Sequence, residues 1–142
     1  MGKEADKVYR VLISGTGRDV GRLTLNIWQA LTFATPVATG FARSAYFPSL
    51  GSGVSGELKA PGDEAAAAAA AKKQLAANRA RAQSIAAGYR LDRGPVHIAN
   101  PVVYIVPLMV QGTSAQAGPN AAERAIEAAV RKTEAESKLG AA

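Results

Sequence analysis

The sequence predicts an α+β fold with a long N-terminal helix, a small mostly antiparallel sheet, an alanine-rich middle helix and a C-terminal helix. Three observations lead there. Val20, Leu23, Ile27 and Leu31 recur at three- and four-residue steps, the period of one helix face. Residues 65–71 are all alanine and run into Lys72-Lys73-Gln74-Leu75, the strongest helix-forming stretch of the chain. Between the helical stretches lie short apolar, β-branched and aromatic runs cut by Pro and Gly, which suit strands.

In chain order, the first segment covers roughly residues 3–34. Val8 and Leu12 extend its stripe backwards, whereas Gly15, Gly17 and Gly21 each cost up to about 1 kcal/mol against alanine in a helix interior. Two shorter helices, or a strand at residues 8–13, are the alternatives. Thr35-Pro36 ends the segment, because a residue before proline is pushed out of the helical region. The aromatic-rich residues 41–47 are expected as a strand closed by Pro48. A loop over about residues 49–62 follows, rich in glycine and serine. Asp63 then caps a helix to about Ala87, with Glu64 in its first turn and Gly88 as its stop. Residues 96–99 and roughly 102–110 are expected as two strands, with Pro101 and Pro107 marking edges or bends. Asn120 and Glu123 form a capping-box-like start for the last helix. Ala122, Ile126, Ala129, Val130 and Thr133 share its face to about Lys138, leaving residues 138–142 as a disordered tail.

The 142 residues suit one domain, residues 1–142, large enough to bury a core without metals or disulfides. The absence of cysteine excludes a disulfide scaffold, a thiolate metal site and a cysteine nucleophile together. No segment reaches the roughly 18 uninterrupted apolar residues of a spanning helix. The start, Met1-Gly2-Lys3-Glu4-Ala5-Asp6, has acids where a signal peptide has a basic and then an apolar run. A soluble product without membrane contact is therefore expected. The net charge is +6, concentrated in residues 72–93, where Lys72, Lys73, Arg79, Arg81, Arg90 and Arg93 face a single acid, Asp92. Such a stretch is either a solvated helix face or a surface for an acidic partner such as nucleic acid.

Reactive constellations are scarce. Gly15, Gly17 and Gly21 superficially resemble a dinucleotide loop, but the third glycine comes one residue late and no acid follows at the ribose-binding distance. His97 is the lone histidine, and no serine stands in a nucleophile elbow. Between Asp19 and Glu123 the acids are Glu57, Asp63, Glu64 and Asp92, all in expected loops or at a helix start. That is poor material for an acid/base pair or an oxygen-ligand metal site. No enzyme activity, cofactor or metal is expected.

Two segments carry more. The first is Thr35-Pro36-Val37-Ala38-Thr39-Gly40-Phe41-Ala42-Arg43-Ser44-Ala45-Tyr46. The second runs Ile98-Ala99-Asn100-Pro101-Val102-Val103-Tyr104-Ile105, then Leu108, then Gly112-Thr113-Ser114-Ala115-Gln116-Ala117. Read physically, Thr35-Pro36 stops a helix, and Thr39-Gly40 makes a turn in which glycine takes positive φ. Arg43 is available for a charge-assisted bond. Gly112-Thr113-Ser114 is a polar turn, and Gln116 offers a donor and an acceptor.

Together the segments resemble the bacteriophage neck and tail-completion family of head–tail connector and tail-terminator-like proteins. Its members carry T-P-V-D-T-G-x-A-R-x-x-W after a long first helix. They then carry I-x-N-x-x-x-Y-I-x-x-L and G-T-S-x-Q-A-P before a closing helix. The likeness spans roughly residues 20–131 and rests on Thr35, Pro36, Val37, Thr39, Gly40, Arg43, Tyr46, Asn100, Tyr104, Gly112, Thr113, Ser114 and Gln116. The chain departs from the pattern at Ala38, Phe41 and Tyr46, where the family has Asp, Arg and Trp. The approach to Gly112 is one residue longer, and Gly118-Pro119 inverts the family's order.

The resemblance implies a non-enzymatic virion protein at the neck, made in the host cytoplasm. It implies a closed homo-oligomeric ring, a hexamer or dodecamer, between the portal side of the head and the tail tube. Double-stranded DNA would pass through the lumen without sequence recognition, and other neck, portal-side and tail-tube proteins would be partners. Lys72, Lys73, Arg79 and Arg81 are then candidates for the DNA-facing lumen or for interfaces. The alternative is a small basic protein binding nucleic acid without sequence preference, although no aromatic stacking platform or helix-turn-helix accompanies the bases.

Overall fold

A computed structural model of the chain describes residues 9–13, 17–36, 40–51, 58–59, 61–89, 94–102, 105–111 and 118–141. The described chain is α+β. Strand β1 (Tyr9–Ile13) precedes helix α1 (Gly17–Ala34), a short helix α2 (Phe41–Ser44) and strand β2 (Phe47–Leu50). Helix α3 (Glu64–Gly88), strand β3 (Val96–Asn100), a π-helical turn (Pro107–Gln111) and helix α4 (Ala121–Ala141) complete it.

The first segment is not one helix. Its start is the strand that the glycines left open as an alternative, and α1 begins only at Gly17. β3 is the middle strand of a three-stranded sheet ordered β1-β3-β2, antiparallel on both sides, with Val11 opposite Ile98 and Phe47 opposite Ala99. Val96, Ile98 and Asn100 share one face of β3 and are buried, and Ala99 on the other face is buried as well.

Two expected strands are corrected. Residues 41–47 are not a strand: Phe41–Ser44 is a helical turn and the strand starts at Phe47. Gly40, at φ 85° and ψ 0°, swings the chain into that turn, a conformation that costs a residue with a Cβ. Pro48 lies inside β2 instead of closing it, which an edge strand tolerates because its N–H is not needed.

The described residues of 102–110 do not form a strand either. Val102 makes one isolated parallel bridge to Leu58, Ile105 and Val106 are helical, and the chain then widens into the π-helical turn. The cause lies at Asn100, whose Oδ1 accepts the Val102 N–H at 3.1 Å and bends the backbone out of the sheet. Ile105 N–H then donates to Val102 O at 3.0 Å. These local side-chain and turn bonds override the β-branched composition.

The helices follow expectation more closely. Asp63, at φ −86° and ψ 127°, accepts the Ala66 N–H on Oδ2 at 2.9 Å and caps α3. α3 extends one residue past Ala87, to Gly88. α4 continues to Ala141, through the residues expected as a tail, because alanine and long-chain residues sustain helix there. Asn120 precedes it at φ 56°, not in the extended conformation of an ordinary N-cap.

α1 is the central helix, packed against both α3 and α4. Val20, Ile27, Trp28 and Leu31 meet Ala82 and Ile85 of α3, Ala122 and Ala129 of α4, Val96 and Ile98 of β3, and Met109. Asn26 ties α1 to α4, donating from Nδ2 to Thr133 Oγ1 at 2.9 Å and to Glu136 Oε1 at 2.7 Å. On the other side Gly21 lies against α3. A Cβ built there would stand 2.5 Å from Ala86 O. Gly21→Ala should therefore lower the thermal midpoint, although alanine is normally favoured over glycine in a helix by about 1 kcal/mol. Gly88→Ala, with open space around it, should not lower it.

Thr24, Thr35 and Thr133 each donate their hydroxyl to the carbonyl four residues back. Thr32 is as buried but its Oγ1 has no partner. A buried hydroxyl without a hydrogen bond costs about 1–3 kcal/mol. Thr32→Val, near-isosteric and apolar, is expected to raise stability by about 1 kcal/mol in urea denaturation, against the usual direction of core substitutions.

Candidate functional site

The described motif residues converge on one junction built around α2. A four-residue helix leaves nearly all its carbonyls without internal partners. Here Ala42 O takes the Ala45 N–H at 3.2 Å, and the surroundings supply further donors. Asn100 Nδ2, from β3, donates to Ala42 O at 2.9 Å. Asn78 Nδ2, from α3, donates to Ser44 O at 2.9 Å. Trp28 Nε1, from α1, donates to Tyr46 O at 3.0 Å, just beyond the helix. Ser44 Oγ turns back to Phe41 O at 2.7 Å and accepts Gln74 Nε2 at 3.4 Å. Three elements that do not adjoin in sequence are thus tied to one turn.

The second half of the junction closes the C-terminus of α1. The Thr35 hydroxyl donates to Leu31 O at 2.8 Å, which uses its single proton. Its 2.8 Å contact with Tyr46 Oη is therefore a bond donated by the tyrosine. Arg43 donates from Nε to Thr35 O at 3.1 Å and from Nη2 to Phe33 O at 3.3 Å. Its guanidinium also lies over the Phe33 ring, 5.8 Å from the centroid. α1 carries no base in its own last turn. Arg43 brings the cation that the negative end of the helix favours.

The structure therefore unites Thr35, Gly40, Arg43, Tyr46 and Asn100 with Pro36 at the bend. Val37, Thr39, Tyr104, Gly112, Thr113, Ser114 and Gln116 lie outside the described residues. Trp28, Ser44, Gln74 and Asn78 belong to the junction too and carried no motif signal. Trp28 as the single tryptophan and Asn78 at the buried phase of an alanine helix are the traces they leave in the sequence.

The chemistry of the junction is that of structure. The Thr35 and Tyr46 hydroxyls face each other with no acid or imidazole between them. His97 lies away at the sheet, its Nε2 3.1 Å from Gly51 O. Among the described residues no group of three or more His, Asp or Glu could hold a metal ion. A shallow groove of about 440 Å³ runs between α1 and α4, lined by Asn26, Gln29, Ala30, Phe33, Ala129 and Lys132. It contains no carboxylate or imidazole. Phe33, 56 % exposed, stands at its edge.

The four candidate bases on α3 are all exposed, and none has an ion-pair partner among the described residues. They do not form one stripe. At about 100° per residue, Lys72 and Arg79 share a side, Lys73 lies about 100° round from Lys72, and Arg81 falls near the opposite flank. Arg90 and Arg93 lie outside the described residues. Among the described residues no helix is long and apolar enough to cross a membrane.

No family of known proteins, no curated protein and no solved structure matches this chain.

The junction makes a quantitative demand. Tyr46→Phe is expected to cost about 1–2 kcal/mol, and Asn100→Ala about 2–3 kcal/mol, since the latter takes the acceptor from the buried Val102 N–H and leaves the Ala42 carbonyl with the Ala45 N–H alone. Urea unfolding of the two variants measures both; equal, near-zero effects would show that the junction is not an organising element.

Proposed function

We propose that this chain is a structural subunit of a tailed-phage neck, assembling into a ring between head and tail through which double-stranded DNA passes. One observation carries the reading. The residues of the neck-like motif that the structure describes meet in a single buried hydrogen-bonded junction, with each polar group serving to hold the backbone. A subunit whose task is to present fixed surfaces needs this kind of junction, and it needs no nucleophile or base. The small exposed side chains of α3 and the unpaired bases on it add support, since a ring around DNA needs close helix contacts and positive charge without base readout.

The same unpaired bases favour a second reading, a free protein that binds nucleic acid through phosphates. The two part in solution. A connector subunit binds duplex DNA weakly as an isolated chain, whereas a dedicated binder does so tightly with a steep salt dependence. Tight, salt-sensitive binding by the monomer would favour the second reading.

In an infection, loss of the chain should leave filled or leaking heads beside unattached tails, visible by electron microscopy. Purified particles should contain it in a fixed copy number at the head–tail junction. Its absence from assembled particles would overturn the proposal.

A further inference from the structure

We propose that copies of this chain join head to tail, the Lys72–Arg79 side of α3 in one copy lying along the Glu123, Glu127 and Glu134 side of α4 in the next.

The first support is the way α3 distributes its apolar residues. Its buried side is Ala67, Ala71, Ala82 and Ile85, with Asn78. Its exposed side carries Ala65, Ala69, Ala76, Ala80 and Ala87 at steps of four and seven. These exposed alanines stand among Lys72, Lys73, Arg79 and Arg81, so the outer surface of α3 mixes small apolar side chains with bases. Alanine at these positions lets a second helix approach closely.

The second support is charge in register. Lys72 and Arg79 are seven residues apart, so they point the same way about 10.5 Å from each other. Glu127 and Glu134 are also seven apart, and Glu123 lies one turn before on the same side; all three are exposed. None of these five has an ion-pair partner within the described chain. Arg124 and Arg131 fall roughly 60–80° further round α4, on the other flank. Two opposite-sign pairs of equal spacing are therefore presented on two helices of the same subunit.

The third support is where the two faces point. Gly21, against α3, and Asn26, bonded to α4, are about 140° apart around α1. α3 and α4 flank α1 on different sides, so their exposed faces cannot meet within one copy. A contact between two different faces is heterologous. Each copy offers one face of each kind, and the series either closes into a ring or runs on as a filament. Closure is the only point at which the inference rests on the neck reading. The assignment places Lys72 and Arg79 in the subunit contact and leaves Lys73 and Arg81 for phosphates.

The natural absence of cysteine makes the test clean. Ala76 lies between the two bases and Val130 between the two acids. Ala76→Cys and Val130→Cys on one full-length chain should give, under mild oxidation, a ladder of covalent multimers in a denaturing gel. Each single-cysteine variant should give none beyond a trace of dimer. Charge reversal supplies the second arm. Glu127→Lys with Glu134→Lys should weaken self-association by about tenfold, as should Lys72→Glu with Arg79→Glu, and all four together should restore it. Circular dichroism confirms that the exposed substitutions leave the fold intact.

No ladder, or a reversal pair that the swap does not rescue, overturns the contact. A wild-type chain that stays monomeric and yields no ladder overturns it as well. Closed rings of uniform mass without the ladder would spare the neck reading and sink this interface. A ladder whose native species are open chains of many lengths would do the reverse.

Discussion

The carbonyls of α2, which its own short turn satisfies only in part, set the terms for the rest of the structure. A four-residue helix cannot satisfy its own backbone, and buried carbonyls without donors are strongly disfavoured. The turn persists because Asn100 and Asn78 reach it from β3 and α3, and Trp28 from α1 meets the carbonyl just past its end. Each donor has one geometry in which it works, so the turn fixes the mutual placement of a strand and two helices. Hydrophobic burial supplies most of the driving force but little direction. The junction supplies direction.

α1 transmits that constraint. Its C-terminus is held by Thr35, Tyr46 and Arg43, its α3 side by the close backbone approach at Gly21, and its α4 side by Asn26. The Asn26 amide spans two acceptors on α4, one of them the carboxylate of Glu136. Polar bonds of this kind forbid the sliding that an alanine-rich contact would otherwise permit, since small side chains interlock poorly. The combination explains how helices lined by alanine keep a defined register.

Sequence periodicity read the helices well. The stripe of α1, the Asp63 cap of α3 and the inward face of α4 are local patterns, and the structure reproduces them except at Val130, which stands outside the core. The strand readings after Gly40 and after Pro101 failed for one shared reason: both stretches are β-branched or aromatic, yet a distant or side-chain partner bends each backbone out of extension. The donor at Ala42 O comes from Asn100, 58 positions away, and the same Asn100 folds the following residues. Propensity cannot register a bond of that separation. The candidate site was legible in part: Thr35, Arg43, Tyr46 and Asn100 were named before the fold, whereas Trp28 and Asn78 look like an ordinary core aromatic and a stray polar residue until the turn they serve is seen.

A subunit that builds a closed assembly must hold its two unlike contact faces at a constant angle, because an error of a few degrees at each joint accumulates around the ring. For the proposed assembly that angle is the angle between α3 and α4, both of which pack on α1. It is set through α1, whose two sides are each fastened by a specific feature: a glycine too close for any Cβ on one side, a buried amide on the other. The tightness of those fastenings would be out of proportion in a chain that worked alone as a flexible phosphate binder, where the position of one basic helix relative to another element matters little. It is in proportion for a chain whose outer helices must meet copies of themselves. That asymmetry, more than the charge of α3, favours an assembled collar.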